Sequence, residues 1–199
     1  MRLPADQRRR QLLEVARDLF AARGFHATSM DEIAERAGVT KPVLYQHFPS
    51  KRALYLELLT DTGDELLGAL RAATHRVTSG RERVEAGFLA YFRFVAERRA
   101  GFRLLFSSAI RTDPEFARVV DGVVRTASGI ISELIEIPAS EEHRRVLAAA
   151  LVGMAESVGR RTSETPASET DPERLARWIS ELAWFGLRGV RAEEPSQLP

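Results

Sequence analysis

Apolar residues recur along this chain at intervals of three and four, the period of helices that bury one face. No run of alternating β-branched residues lies between turn pairs, and there is no Asn-Gly or Asp-Gly hairpin signal. The pattern predicts an all-α chain of about nine helices. The first runs from Ala5 to Arg23 with Leu12, Ala16, Leu19 and Phe20 on one face. Gly24 is expected to stop it in a left-handed conformation, and Phe25 to fold back over the last turn. Ser29 opens a short second helix, Glu32 completes a capping box with it, and Ala37-Gly38 ends it. Thr40 is expected to cap a third helix, Lys41 to Phe48, whose first turn tolerates Pro42. Pro49-Ser50 breaks and recaps the chain before a longer helix, Lys51 to Ala73.

The same periodicity predicts helices over Arg81 to Arg99 (stripe Val84, Phe88, Tyr91, Val95) and over Gly101 to Ile110. Asp113-Pro114-Glu115 is a cap followed by a first-turn proline, and its helix is expected to reach Ile137. Ser140 caps the next, to Arg161, and Asp171-Pro172-Glu173 launches the last, to Val190. Between them the polar stretch Thr162 to Thr170 has no helical period and reads as an exposed loop.

Two short helices joined at Gly38-Val39-Thr40, with Ala34 small enough for a close crossing, predict a helix-turn-helix. Its inward set is Ile33, Ala37, Val39, Leu44 and Phe48. The second helix then offers Lys41, Pro42, Val43 and Gln46 outward near its N-terminus, where a recognition helix meets base edges. Tyr45, His47 and Lys51 stand where side chains reach phosphates. Each has a plainer alternative: a tyrosine ring in a small core, a structural histidine, a surface lysine, solvent-exposed Gln46 and Val43.

Charge sharpens this picture. The 199 residues carry 29 Lys+Arg against 28 Asp+Glu, an almost neutral average. Residues 1–52 hold 10 basic and six acidic side chains, a net +4, while the remaining 147 hold 19 and 22, a net −3. Lys41 and Lys51 are the two lysines of the chain, and both lie in the basic part. A basic quarter around a helix-turn-helix is what a phosphate-binding surface needs. Zero cysteines exclude a disulfide scaffold, a thiol nucleophile and Cys-based zinc sites. No apolar run approaches the roughly 18–20 residues of a membrane span, and the first residues form no apolar signal core, so a cytoplasmic location is expected. No His-Glu-x-x-His, Gly-x-Ser-x-Gly or glycine-rich phosphate loop occurs, and His26, His47, His75 and His143 are scattered. Catalysis, metals and cofactors are not expected.

The run GFHATSMDEIAERAGVTKPVLYQHFPSKRALYLELL, Gly24 to Leu59, resembles the DNA-binding region of TetR-type bacterial transcriptional regulators, with YQHFPSK its most specific string. The resemblance implies an N-terminal three-helix DNA-binding domain, here residues 1–52, and a helical ligand-binding and dimerisation domain, residues 53–199. It implies phosphate contacts from Tyr45, His47 and Lys51. Thr40, Lys41, Val43 and Gln46 resemble the base-reading or groove-facing set. Thr28 resembles the residue that pins the second helix to a phosphate. Some members carry an aromatic residue where this chain has Gln46.

The resemblance further implies a homodimer joined by the last two long helices. Leu147, Leu151, Met154 and Val158 form a stripe on the first of them. Leu175, Trp178, Ile179, Leu182, Trp184, Phe185 and Leu187 wrap the second too widely for one buried face. Leu147, Leu151, Val158, Trp178, Leu182 and Phe185 are the expected interface, the alternative being a monomer that buries both faces. Aromatic side chains concentrate from Phe88 to Phe116, and a hydrophobic effector is expected against Phe88, Tyr91, Phe92, Phe102, Phe106, Phe116 and Met154 unless they are plain core. Similarity to actinobacterial members that regulate lipid metabolism implies an acyl-type effector. The expected function is a ligand-responsive regulator, a repressor by preference, on palindromic operator DNA. The alternative is a ligand-independent DNA-organising or protein-recruiting protein.

Overall fold

Capping signals and apolar stripes that agree over most of the chain leave the backbone few alternatives to helix. The computed structural model describes residues 4–107, 110 and 112–188, with the side chains of Ala167, Leu187 and Arg188 outside the description. Its described residues form nine α-helices, one 3-10 turn and no strand. In chain order these are α1 (Ala5–Ala27), α2 (Met30–Arg36), α3 (Lys41–His47), α4 (Lys51–His75) and α5 (Gly80–Glu97). They continue as α6 (Arg99–Leu105), α7 (Pro114–Leu134), α8 (Glu141–Glu164) and α9 (Pro172–Arg188). The expected end of the last helix, Val190, lies outside the described residues. None of these helices is long and apolar enough to cross a membrane.

Two compact units share the chain. One comprises residues 1–64 together with 98–121, the other 65–97 together with 122–199. In the first, α1 buries Leu12, Leu13, Ala16 and Phe20. Gly24 breaks its helical path with φ 82°, a left-handed value that a side chain would resist. Phe25 then turns back, its ring 6.1 Å from Phe20, 4.9 Å from Tyr55 and 5.0 Å from Phe116. The Tyr55 hydroxyl pairs with Ser107 Oγ at 2.8 Å, and burial pushes this phenol above its ordinary range. Packing also constrains α6 against α4: a Cβ on Gly101 would lie 3.0 Å from Thr62 Cγ2.

In the second unit α9 and α8 both pack on α5. Phe88, Tyr91, Phe92, Phe94 and Val95 of α5 are buried there, each large apolar side chain contributing about 1.5–3 kcal/mol. Trp184 closes over the start of α5, 3.5 Å from the position a Cβ on Gly80 would take. Arg93 pairs with Glu173 at 2.9 Å, and Arg83 pairs with Glu136.

The caps expected at Ser29, Asp113, Ser140 and Asp171 form. Each accepts a backbone N–H of its helix, from Glu32, Glu115, His143 and Arg174 respectively. Expectations at Thr40 and from Thr162 onward are corrected. Thr40 occupies the cap position of α3, but its hydroxyl makes no capping bond; only its carbonyl enters the helix, accepting from Val43 and Leu44. The expected loop from Thr162 is helical as far as Glu164 and includes a 3-10 turn at Ala167–Glu169. The hydroxyls of Thr162 and Ser163 donate back to the carbonyls of Val158 and Arg160, so these polar residues sit within the helix that the sequence pattern did not extend to them.

Candidate nucleic-acid interface

The helix-turn-helix is held from behind by its short apolar core. Ile33, Ala34, Ala37, Leu44 and Phe48 are buried and Val39 is half-buried, while Gly38 makes the turn at φ 66°. The Ser29–Glu32 capping box closes the start of α2 in both directions. Glu32 also receives Arg23, and its carboxyl is held below the usual carboxylate range, first by the Ser29 backbone N–H. Gln11 Nε2 donates to the Ala37 carbonyl at the other end of α2. Arg9 lies 4.4 Å from the centre of the Phe48 ring while paired with Glu57 at 2.6 Å, tying α1 to α3 and α4. These ties hold the helix-turn-helix from behind and leave the outer face of α3 out of the packing.

On that face Thr40, Lys41, Pro42, Tyr45 and Gln46 are exposed, and Val43 and His47 are half-buried. Tyr45 is 41% exposed, so its ring is not spent in a core. Lys41 Nζ sits 2.8 Å from an Asp31 carboxylate oxygen of α2, and this hydrogen bond raises its ammonium above the ordinary lysine range. Behind the face stand two residues expected at phosphates. Thr28 is buried, its hydroxyl donating to the Gly24 carbonyl at 2.9 Å. Lys51 Nζ donates to the carbonyls of Phe25 at 2.9 Å and Thr28 at 2.8 Å, with the Phe25 ring centre 4.6 Å away. Both side chains serve the last carbonyls of α1.

The spacing of residues gave no notice of Asp31 or of Arg52. Arg52 grips Asp113 through two bonds, 2.6 and 2.8 Å, and Glu115 through a third, 2.6 Å, so it joins the start of α4 to the start of α7. The Arg52 guanidinium and the Glu115 and Phe116 N–H groups hold the Asp113 carboxyl at about 2. Pairs 10 and 61 residues apart have no local signature; the excess of charge around residues 1–52 was the available hint.

The expected pocket and interface residues are distributed as follows. Phe88, Tyr91, Phe92 and Met154 belong to the second unit, the first three buried and Met154 half-buried. Phe102, Phe106 and Phe116 belong to the first unit, where the Phe102 and Phe106 rings meet at a tilt with centres 4.6 Å apart and Phe116 packs on Phe25 and Tyr55. Of the expected interface, Leu151 is buried and Leu147 and Val158 are half-buried, whereas Trp178, Leu182 and Phe185 are 57%, 62% and 65% exposed. The exposed row of α8 is Val146, Ala149, Ala150 and Gly153, one step round the helix from the predicted stripe. Among the described residues no group of three His, Asp or Glu side chains could hold a metal ion.

This arrangement agrees with known proteins along its length. Residues 12–58 match the family of bacterial regulatory proteins named for tetR, and residues 81–186 match the tetracyclin repressor-like C-terminal domain. The HTH-type transcriptional activator FasR of Mycolicibacterium smegmatis is 38% identical over 95% of this chain and 87% of its own length. The HTH-type transcriptional repressor KstR2 of the same organism is 38% identical over 47% of this chain and 45% of its own. A crystal structure of a TetR-like transcriptional regulator from Rhodococcus sp. RHA1 superposes with a TM-score of 0.81 at 31% identity, over 95% of this chain and all of that one. With a helix-turn-helix whose outer face is free of core duties, and likeness spanning both halves, the chain belongs to the TetR family of transcriptional regulators.

Proposed function

We propose that the protein binds palindromic operator DNA as a homodimer in the cytoplasm, reading it through residues 1–52, and that a small hydrophobic effector of acyl type, bound within residues 53–199, sets operator occupancy. The observation that carries this reading is the outer face of α3, where Thr40, Lys41, Tyr45 and Gln46 are exposed on a helix anchored by Leu44 and Phe48. Gln46 offers the bidentate pairing suited to adenine and Lys41 the donor suited to guanine, with Thr40 and Val43 against the groove wall. Tyr45 and His47 take phosphates. Thr28 and Lys51 act from behind, by holding the carbonyls at the end of α1.

The exposed row Trp178, Leu182 and Phe185 on α9 supports the dimer, since aromatic anchors of this kind are seldom left in water. Phe88, Tyr91, Phe92 and Met154 supply the apolar wall for the effector; Phe102 and Phe116, buried in the first unit, and the half-buried Phe106 are not assigned to it. A dimer sets its two recognition helices about 34–36 Å apart, and an effector shifts that spacing only as far as it prefers one state over the other. Repression follows where the operator overlaps a promoter; the names of the relatives include both an activator and a repressor.

The test begins by selecting the operator from random duplexes with the full-length protein, followed by fluorescence anisotropy. Gln46→Ala is expected to relax preference at one base pair per half-site, by about 1–3 kcal/mol, without weakening binding to unrelated DNA. Tyr45→Phe should weaken binding to all sequences alike. Wild-type behaviour from both variants would remove α3 as the reading helix.

A further inference from the structure

The Lys41–Asp31 pair lies on the surface proposed to meet DNA, and it spends the one lysine of α3 on a carboxylate. Of the two acids in the first turn of α2, Glu32 is engaged in the capping box and with Arg23. Asp31 closes on Lys41 through both its oxygens, at 2.8 and 3.1 Å. Both side chains are exposed, Lys41 by 56% and Asp31 by 66%, so neither is needed by the core. Glu32 explains its own presence by satisfying α2, whereas the Asp31 carboxylate accepts nothing from α2 among its recorded bonds and instead reaches across to the start of α3.

We infer that Asp31 is a specificity-determining residue that suppresses binding to non-operator DNA by masking Lys41. This rests on the reading of Lys41 as a base contact. Phosphate oxygens on any duplex attract an unpaired lysine, and each such contact adds salt-dependent affinity without sequence information. With the carboxylate in place, a phosphate must displace a partner of the same sign and similar geometry before it reaches the ammonium. Two acceptors on a guanine edge compensate for the exchange; a lone phosphate does so less well. Asp31 thus lowers affinity for the many wrong sites more than for the right one, the discrimination coming from competition for Lys41.

The experiment compares wild type, Asp31→Asn, Lys41→Ala and the double variant on operator and on an unrelated duplex, across a salt series. Asparagine keeps the size of the side chain and removes its charge, and circular dichroism melts check that all four proteins fold. Asp31→Asn is expected to raise affinity for the unrelated duplex about threefold to fivefold at low salt and to steepen its salt slope by about one. Lys41→Ala should lower operator affinity about tenfold and leave unrelated DNA unchanged. In the double variant the gain on unrelated DNA should vanish, because the masked lysine is gone. An unchanged affinity for unrelated DNA in Asp31→Asn would overturn the inference, as would a gain that persists in the double variant, which would mean simple repulsion. Wild type that binds but lacks these differences refutes the inference alone; wild type that binds neither duplex refutes the DNA reading with it.

Discussion

Lys51 is the residue whose neighbours could least be foreseen. Its place after Pro49-Ser50 and beside the recognition helix suggests a phosphate, and its composition carries nothing to the contrary. Its partners are carbonyls 23 and 26 residues earlier, exposed to it because Gly24 turns the end of α1 aside. A lysine that satisfies backbone carbonyls leaves no periodic mark, whereas Ser29 and Glu32, whose partners are three residues apart, were legible at once. Lys51→Met, which keeps the alkyl stem and removes the donors, is expected to destabilise the fold by about 1–2 kcal/mol in chemical denaturation. Its DNA salt slope should stay at the wild-type value. A slope lower by about one with unchanged stability would instead place the ammonium on a phosphate.

Among elements, legibility followed the range of the interaction. Helices bounded by their own caps began within a residue or so of where the pattern placed them, as at Lys51, Pro114 and Pro172. C-terminal ends drifted: α6 closes at Leu105 rather than Ile110, α7 at Leu134 rather than Ile137, and α8 runs past Arg161. On α8 the burial of Ala148, Leu151 and Ala155 assigns the inward face within this chain, and small residues do that as well as large ones, which counting leucines alone does not show. The start of α7 has a pH dependence that its neighbours dictate. Asp113 is held at about 2, first by Arg52 and then by N–H groups of its own helix. A depressed carboxyl adds stability above its unfolded value, about pH 4, and loses it as pH falls through the folded one. The stability gap between wild type and Asp113→Asn should therefore be constant above about pH 5 and close between about pH 4 and pH 2, followed by thermal melts. A gap that persists at the acid end would separate the cap from its charge.

For the whole molecule, the helical class and the family resemblance were readable because the DNA-reading segment carries its motif contiguously, from Gly24 to Leu59. The association of that segment with residues 98–121 was not, since Phe25, Tyr55 and Phe116 meet only once the chain has folded. Trp178, Leu182 and Phe185 carry the prediction at this scale. Leu182→Glu should shift the protein from dimer to monomer in sedimentation, weakening association about 10- to 100-fold, with its helical circular dichroism retained. A dimer of undiminished strength would move the interface elsewhere. The interleaving of residues 98–121 with the first 64 also bears on how the protein is made and reshaped. On the ribosome the reading unit cannot finish folding as its own helices emerge, because α6 and the head of α7 have yet to be synthesised. Grafting a foreign reader onto this scaffold by a cut after α3 would for the same reason strand half of an aromatic cluster, so a workable chimera must exchange two separate stretches of gene.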